Sequence, residues 1–174
     1  MTELDIPQPD VEVDYPLAPW TLSGKLWIGL FGGSTPARLP LGLDAALSPN
    51  WRVVTLVRYL EGTLVYDELV IGVLARFGNR FGVYVEHMWV DSMESLWGGR
   101  RIWGVPKEMA RFDWQESEGR NKPDTVAITD ADGPILRLSV HQVESHLPQV
   151  PLVAPGFGIL ANKVVYAFGN IKGR

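Results

Sequence analysis

The sequence predicts a mainly β fold: an antiparallel sheet that curls or closes into a barrel, with one or two short helices. Two observations carry this. Short runs rich in Val, Leu, Ile and aromatics recur at Thr21–Phe31, Trp51–Leu60, Leu64–Ala75 and Phe81–Val90, then at Met109–Glu116, Thr125–Asp130, Ile135–Val143 and Lys163–Phe168. Gly and Pro punctuate them, in Gly32-Gly33, Ser48-Pro49-Asn50, Glu61-Gly62 and Gly78-Asn79. Many short strands with little helix bury their apolar faces by curling or closing one sheet.

Taken in order, residues 1–14 read as an extended arm of a single domain spanning 1–174. Arg76–Arg80 is a compact turn suited to an antiparallel hairpin between the third and fourth runs. The best helix begins at Asp91, where Glu94 three residues on resembles a capping box, and ends at Gly98-Gly99. A second short helix is expected over Leu43–Leu47. The stretch Leu147–Gly158, with three prolines and two glycines, reads as loop.

Composition narrows the function classes. The 174 residues suffice for one substantial core, and no apolar run is long enough to cross a membrane as a helix. The start, Met1 to Pro7, lacks the basic residues and apolar run of a signal peptide, so a cytoplasmic soluble protein is expected. Without cysteine there is no disulfide, thiolate nucleophile or cysteine metal site. A net charge of −4 argues against nucleic-acid binding. His87, His141 and His146 lack metal-ligand spacing, and structural roles are expected of them.

The chemistry concentrates in Gly99-Arg100-Arg101-Ile102-Trp103-Gly104-Val105-Pro106-Lys107. A lysine that loses hydration in apolar company loses its charge more readily, and the neutral amine is a nucleophile toward carbonyl carbon. Lowering its pKa from about 10.4 to about 6 or 7 takes roughly 5–6 kcal/mol, which a dry cavity supplies and an exposed loop does not. Trp20, Trp27, Trp89, Trp97 and Trp103 fall in segments expected to surround this lysine. Arg100 reads either as an ion-pair partner of Glu94 or Asp91 or as a ligand-binding group.

The segment Val85-Glu86-His87-Met88-Trp89-Val90-Asp91-Ser92, with Gly99-Arg100 and Pro106-Lys107, resembles the acetoacetate decarboxylase family. Tyr15-Pro16-x-x-Pro19-Trp20 and Leu39-Pro40-Leu41-Gly42-Leu43 resemble its N-terminal motifs. The resemblance covers roughly residues 15 to 140. It implies Lys107 as Schiff-base nucleophile, Glu68 as a pocket glutamate and Lys25 as the clamp on a substrate carboxylate. Trp20, Trp89, Trp103 and Arg100 complete the expected substrate contacts. It also implies a cone-like or barrel-like antiparallel sheet with an internal cavity, a keto-acid or other carbonyl ligand, no cofactor and a homo-oligomer.

Departures from the family pattern bear on the reaction. Glu108 stands where the decarboxylases carry a second lysine, and Arg101 replaces a glutamate. If extended backbone holds residues 107 and 108, Glu108 faces away from Lys107. The short Arg76–Arg80 turn replaces a longer segment that brings a second pocket carboxylate, and the chain is shorter than a full-length decarboxylase. Three functions stay open: decarboxylation of acetoacetate or a related β-keto acid; a Schiff-base aldolase, dehydratase or cyclase; and a non-catalytic β-barrel that binds a small molecule.

Overall fold

The computed structural model describes Ile6 and residues 9–117, 123–141 and 151–173, with 151–154 and 169–173 described by backbone alone. The elements are β1 (Leu22–Gly32), β2 (Asp44–Ala45), β3 (Trp51–Gly62), β4 (Tyr66–Phe77), β5 (Arg80–Val90), α1 (Met93–Gly98), a π-helical turn (Gly99–Trp103), β6 (Lys107–Met109), β7 (Arg111–Gln115), β8 (Asp124–Asp130), β9 (Gly133–Val140), β10 (Pro151–Leu160) and β11 (Lys163–Gly173). Eight strands form one sheet in the order β2-β4-β3-β1-β11-β10-β5-β6, and β5 pairs in addition with β4. Strands β7, β8 and β9 form a second, three-stranded sheet.

The mainly β class is as expected, with two refinements. The large sheet is mixed, because β1–β11, β10–β5 and β5–β6 run parallel. It curls without becoming a continuous closed barrel: β1 meets β11 through three residue pairs and β10 meets β5 through two. Among the described residues no helix is long and apolar enough to cross a membrane.

Four local expectations are corrected. Leu43–Leu47 is not a helix. Its residues Asp44 and Ala45 pair with Arg76 and Ala75, while Leu43 packs with Ala75 and Phe157; five residues are too few to sustain a helix against that pairing. The expected strand Met109–Glu116 divides at Ala110, whose N–H reaches the Val90 carbonyl at 2.9 Å. The stretch read as loop carries β10, a hairpin partner of β11, although residues 147–150 lie outside the described ones. Proline is compatible with a strand wherever its missing N–H faces no ladder acceptor.

The fourth correction shapes the site. Ser92, not Asp91, caps α1, accepting the Ser95 N–H at 3.1 Å. The α-helix does end at Gly98, as expected, but helical backbone continues as a π-turn to Trp103 and ends at Gly104, with φ of +65°. The glycine pair also serves close approach. A Cβ at Gly98 would run into the Trp20 ring, and one at Gly99 would lie 2.5 Å from Lys107 Cδ and 2.7 Å from Cε. A π-turn of this kind commonly marks a functional position.

Alternation along β3, β4 and β5 divides the core between two faces. One face buries Val57, Tyr59, Tyr66, Val90, Leu96 and Met109. The other buries Leu56, Leu69, Trp89 and Ala110 against Val126, Ile128 and Val140 of the three-stranded sheet. Glu68 shares the first face and Asp67 the second, since Glu68 pairs with Val57 and Asp67 with Arg58.

Candidate active site

Lys107 opens β6 after a tight local path. Its N–H bonds the Val105 carbonyl at 2.9 Å across Pro106, a three-residue turn whose dihedral the proline presets. Strand β6 then runs parallel to β5, with Lys107 beside Met88, so the lysine enters the first face of the core. Lys107 and Met109 are buried while Glu108 between them is exposed, as extended alternation dictates. Glu108 therefore points away from the ammonium.

The side chain lies along Gly99, where the missing Cβ leaves room for its methylenes. At its end Nζ donates to Glu68 Oε2 at 2.8 Å and to Ser95 Oγ at 2.7 Å. Lys107, Glu68 and Ser95 are 3%, 6% and 0% exposed, so the charge pair is held inside the protein. A buried pair is tolerable only when its remaining polar positions are satisfied. Glu68 meets that condition: Tyr59 donates to Oε1 at 3.4 Å and Tyr66 to Oε2 at 3.2 Å. Burial, and then the Glu68 charge, pushes both phenols well above their ordinary range, which keeps them as O–H donors. The Tyr66 ring centroid is 5.0 Å from Nζ and that of Trp20 is 5.9 Å away.

A strap of irregular chain covers this group. Trp20 seats on Gly98, donates its Nε1 to the Pro16 carbonyl at 2.8 Å and stands edge-on to Trp103 at 4.6 Å. Upstream, Trp97 Nε1 donates to the Val11 carbonyl at 3.1 Å and Arg101 pairs with Glu12 at 2.7 Å. Ile6 is buried in the same apolar cluster as Tyr59 and Tyr66.

Of the residues singled out by sequence, the structure gathers Lys107, Glu68 and Trp20. Trp103 backs Trp20 from one layer out. Trp89 is elsewhere: it pairs with Leu69 and packs in the second face, stacked on His87. Lys25 is likewise misplaced for a clamp, because its register partner is Arg58, on the face opposite Glu68. The cause in both cases is strand parity, which a shift of one residue inverts. Arg100 gives its Nε to the Lys107 carbonyl at 2.7 Å and stacks over Trp97, instead of pairing with Asp91 or Glu94. It also lines a cleft of about 340 Å³ with Tyr84, Val85, Val105, Pro106 and Ile159. That cleft does not include Lys107.

Sequence reading missed Tyr59, Tyr66, Ser95 and Gly99. Tyr66 carried a signal, because residues 66 and 68 of one strand share a face. Ser95 stood in no pattern that set it apart from the other serines, and Gly99 entered only as part of the Gly99-Arg100 motif, without a role of its own.

A cation, a carboxylate and three hydroxyls meet here away from water, suited to carbonyl condensation with proton transfer. The fold places the chain among known structures. Acetoacetate decarboxylase from Legionella pneumophila superposes with a TM-score of 0.66 at 18% identity, covering 95% of this chain and 70% of that one. The enduracididine biosynthesis enzyme MppR, complexed with the condensation product of pyruvate and imidazole 4-carboxaldehyde, gives 0.58 at 16% identity, covering 91% and 70%. An acetoacetate decarboxylase-like enzyme from Sphingomonas wittichii gives 0.56 at 18%, covering 83% and 69%. No curated protein matches the chain. Residues 36–152, more than half of the sequence, match the acetoacetate decarboxylase (ADC) family, and the chain belongs to that family.

Proposed function

We propose that this protein is an enzyme that condenses Lys107 with the carbonyl group of a keto acid. The observation that supports this most is the Lys107 ammonium, buried and within 2.8 Å of a carboxylate that two phenols also address. In the reaction Glu68 takes one proton from the Lys107 ammonium, the neutral Nζ adds to the carbonyl carbon, and the carbonyl oxygen takes up two protons and leaves as water. The protonated imine that remains draws electrons from the adjacent carbon. For acetoacetate or a related β-keto acid, the bond to the carboxylate breaks, carbon dioxide leaves and an enamine forms. Protonation of the enamine carbon and hydrolysis release the ketone and free the lysine. Glu68, with Tyr59 and Tyr66, is positioned to move the protons, and no cofactor is called for.

Decarboxylation is the first reading. The second, an aldol, dehydration or cyclisation step, draws support from the place of Lys25. With that cation on the far face, the carboxylate clamp is missing from the ammonium's contacts, while Glu68 is near enough to take a proton beside an imine. We further propose a cytoplasmic homo-oligomer; exposed Ile28, Leu30, Phe31 and Phe168 favour association, which sedimentation velocity reads directly.

Borohydride reduction in the presence of acetoacetate or pyruvate, read by intact mass, tests the imine. One adduct per chain is expected on the wild type and none on Lys107→Ala. Absence of adduct on the wild type with both compounds would leave only a small-molecule-binding role. Carbon dioxide release from acetoacetate then separates the two enzyme readings.

A further inference from the structure

We propose that the cleft between β5, the π-turn and β10 is a second binding site, which takes a small organic monocarboxylate with an apolar body and reads its carboxylate through Arg100. The cleft measures about 340 Å³, and Tyr84, Val85, Val105, Pro106 and Ile159 line it with Arg100. Arg100 is the one charged side chain in that lining among the described residues. Lys107 takes no part in it and is 3% exposed, so a ligand here is not at the buried amine. The site is therefore separate from the keto-acid chemistry proposed above and does not depend on it.

Arginine carries N–H donors on Nε and on both Nη atoms, and no acceptor. The Nε of Arg100 is committed to the Lys107 carbonyl at 2.7 Å, and its guanidinium carbon lies 5.7 Å from the Trp97 ring centroid. Neither Nη makes a hydrogen bond or ion pair among the described residues. Nearby carboxylates are engaged elsewhere. Asp91 accepts the Asp67 N–H, Glu94 accepts from Ser92, and Glu86 is paired with Arg52. A half-buried guanidinium is thus left without a counter-charge. With Nε taken, the two Nη atoms offer parallel N–H bonds end-on, the geometry that matches both oxygens of a carboxylate. The Nε bond and the indole fix this group in advance, so binding forfeits little side-chain freedom.

The rest of the cleft sets the body of the ligand. Its floor is rigid backbone: the Ile159 N–H reaches the Gly104 carbonyl at 2.8 Å, and a Cβ on Gly104 or Gly158 would run into the facing backbone. The side-chain walls are aliphatic and aromatic, which suits a body that needs no hydrogen bonds. A second anionic group would meet those walls without a partner, and an unpaired charge there is costly, so a monoanion is favoured over a dicarboxylate.

Benzoate is the probe, followed by the amide shifts of the intact 15N-labelled chain. The wild type is expected to saturate with a Kd of about 1 mM, the largest shifts falling at Val85, Gly104, Val105 and Ile159. Benzamide, of the same shape without the charge, is expected to bind about tenfold or more weakly, and Arg100→Gln to lose about as much for benzoate. Phthalate, with a second carboxylate, is expected to bind more weakly than benzoate. Arg100→Gln also releases the Lys107 carbonyl, so Ile159→Trp serves as an independent variant: it fills the cleft, keeps Arg100 and is expected to abolish saturation. Glu68→Gln combined with Lys107→Met is expected to bind benzoate as the wild type does. No saturation of the wild type, equal affinity for benzamide, tighter binding of phthalate, or unchanged affinity in Arg100→Gln or Ile159→Trp overturns the proposal. Loss of binding in the Glu68 and Lys107 double variant assigns the anion to the buried amine instead and overturns it equally. None of these outcomes bears on the imine, because benzoate has no keto group to condense.

Discussion

Asp67 and Glu68 are consecutive carboxylates on one strand, both buried, and they live in different chemical worlds. Glu68 looks onto the first face of the sheet and has a lysine and two phenols on its oxygens. Asp67 looks onto the second face. Its Oδ2 accepts from Trp114 Nε1 at 2.7 Å, but its Oδ1 has no hydrogen-bond partner among the described residues, and the nearest cation, Arg58, is 3.9 Å off. Burial therefore dominates, and with the neighbouring Asp91 charge it lifts the Asp67 carboxyl from 3.8 to about 6 despite Trp114 and Arg58. Burial alone makes a carboxylate a liability; burial with a committed cation and donors makes it a component of a site.

The contrast breaks most visibly at Glu68. Glu68→Gln leaves the Lys107 charge buried without its counter-charge and is expected to cost about 3–5 kcal/mol in urea unfolding. Pairing it with Lys107→Met should recover most of that loss, because the orphaned charge goes too. On the other face the expected sign reverses. The folded-state value of Asp67 lies above the unfolded one, so the native protein binds an extra proton between about pH 4 and pH 6. That contribution favours the fold below the window and is lost as pH rises through about 6. Asp67→Asn should therefore stabilise at pH 7 by about 2–3 kcal/mol, and the gain should vanish near pH 4 in melting curves. The smallest effect is expected from Gly99→Ala, whose methyl meets the Lys107 methylenes: about 1–3 kcal/mol, with slower borohydride trapping as the ammonium shifts. Unchanged trapping would show that the lysine bends around the methyl.

Much of this was legible in the sequence because it depends on local pattern. The strands up to Val90 and the lysine behind its proline announce themselves through composition and punctuation. What failed was parity and packing. Lys25 and Trp89 have suitable side chains in suitable segments, yet each falls on the second face once register is set, and register is decided by partners far along the chain. Gly98-Gly99 read as a helix stop, and α1 does end there, but that is only part of what the pair does. Here the pair is also explained by Trp20 and by Lys107 itself, which only the folded chain brings alongside. Likewise β10 was hidden by prolines whose neighbours in the sheet supply its pairing.

The strap has a consequence for how tightly any ligand binds. Ile6 lies in the apolar cluster that includes both tyrosines of the site, so the space beside those tyrosines is partly filled by the protein itself. Returning a buried isoleucine side chain to water costs about 1.5–3 kcal/mol. A ligand that displaces Ile6 to reach Lys107 therefore binds roughly ten- to a hundredfold more weakly than its own contacts dictate. The measured affinity is then a property of two competitors, one of which is always present at a fixed local concentration because it is tethered to the same chain.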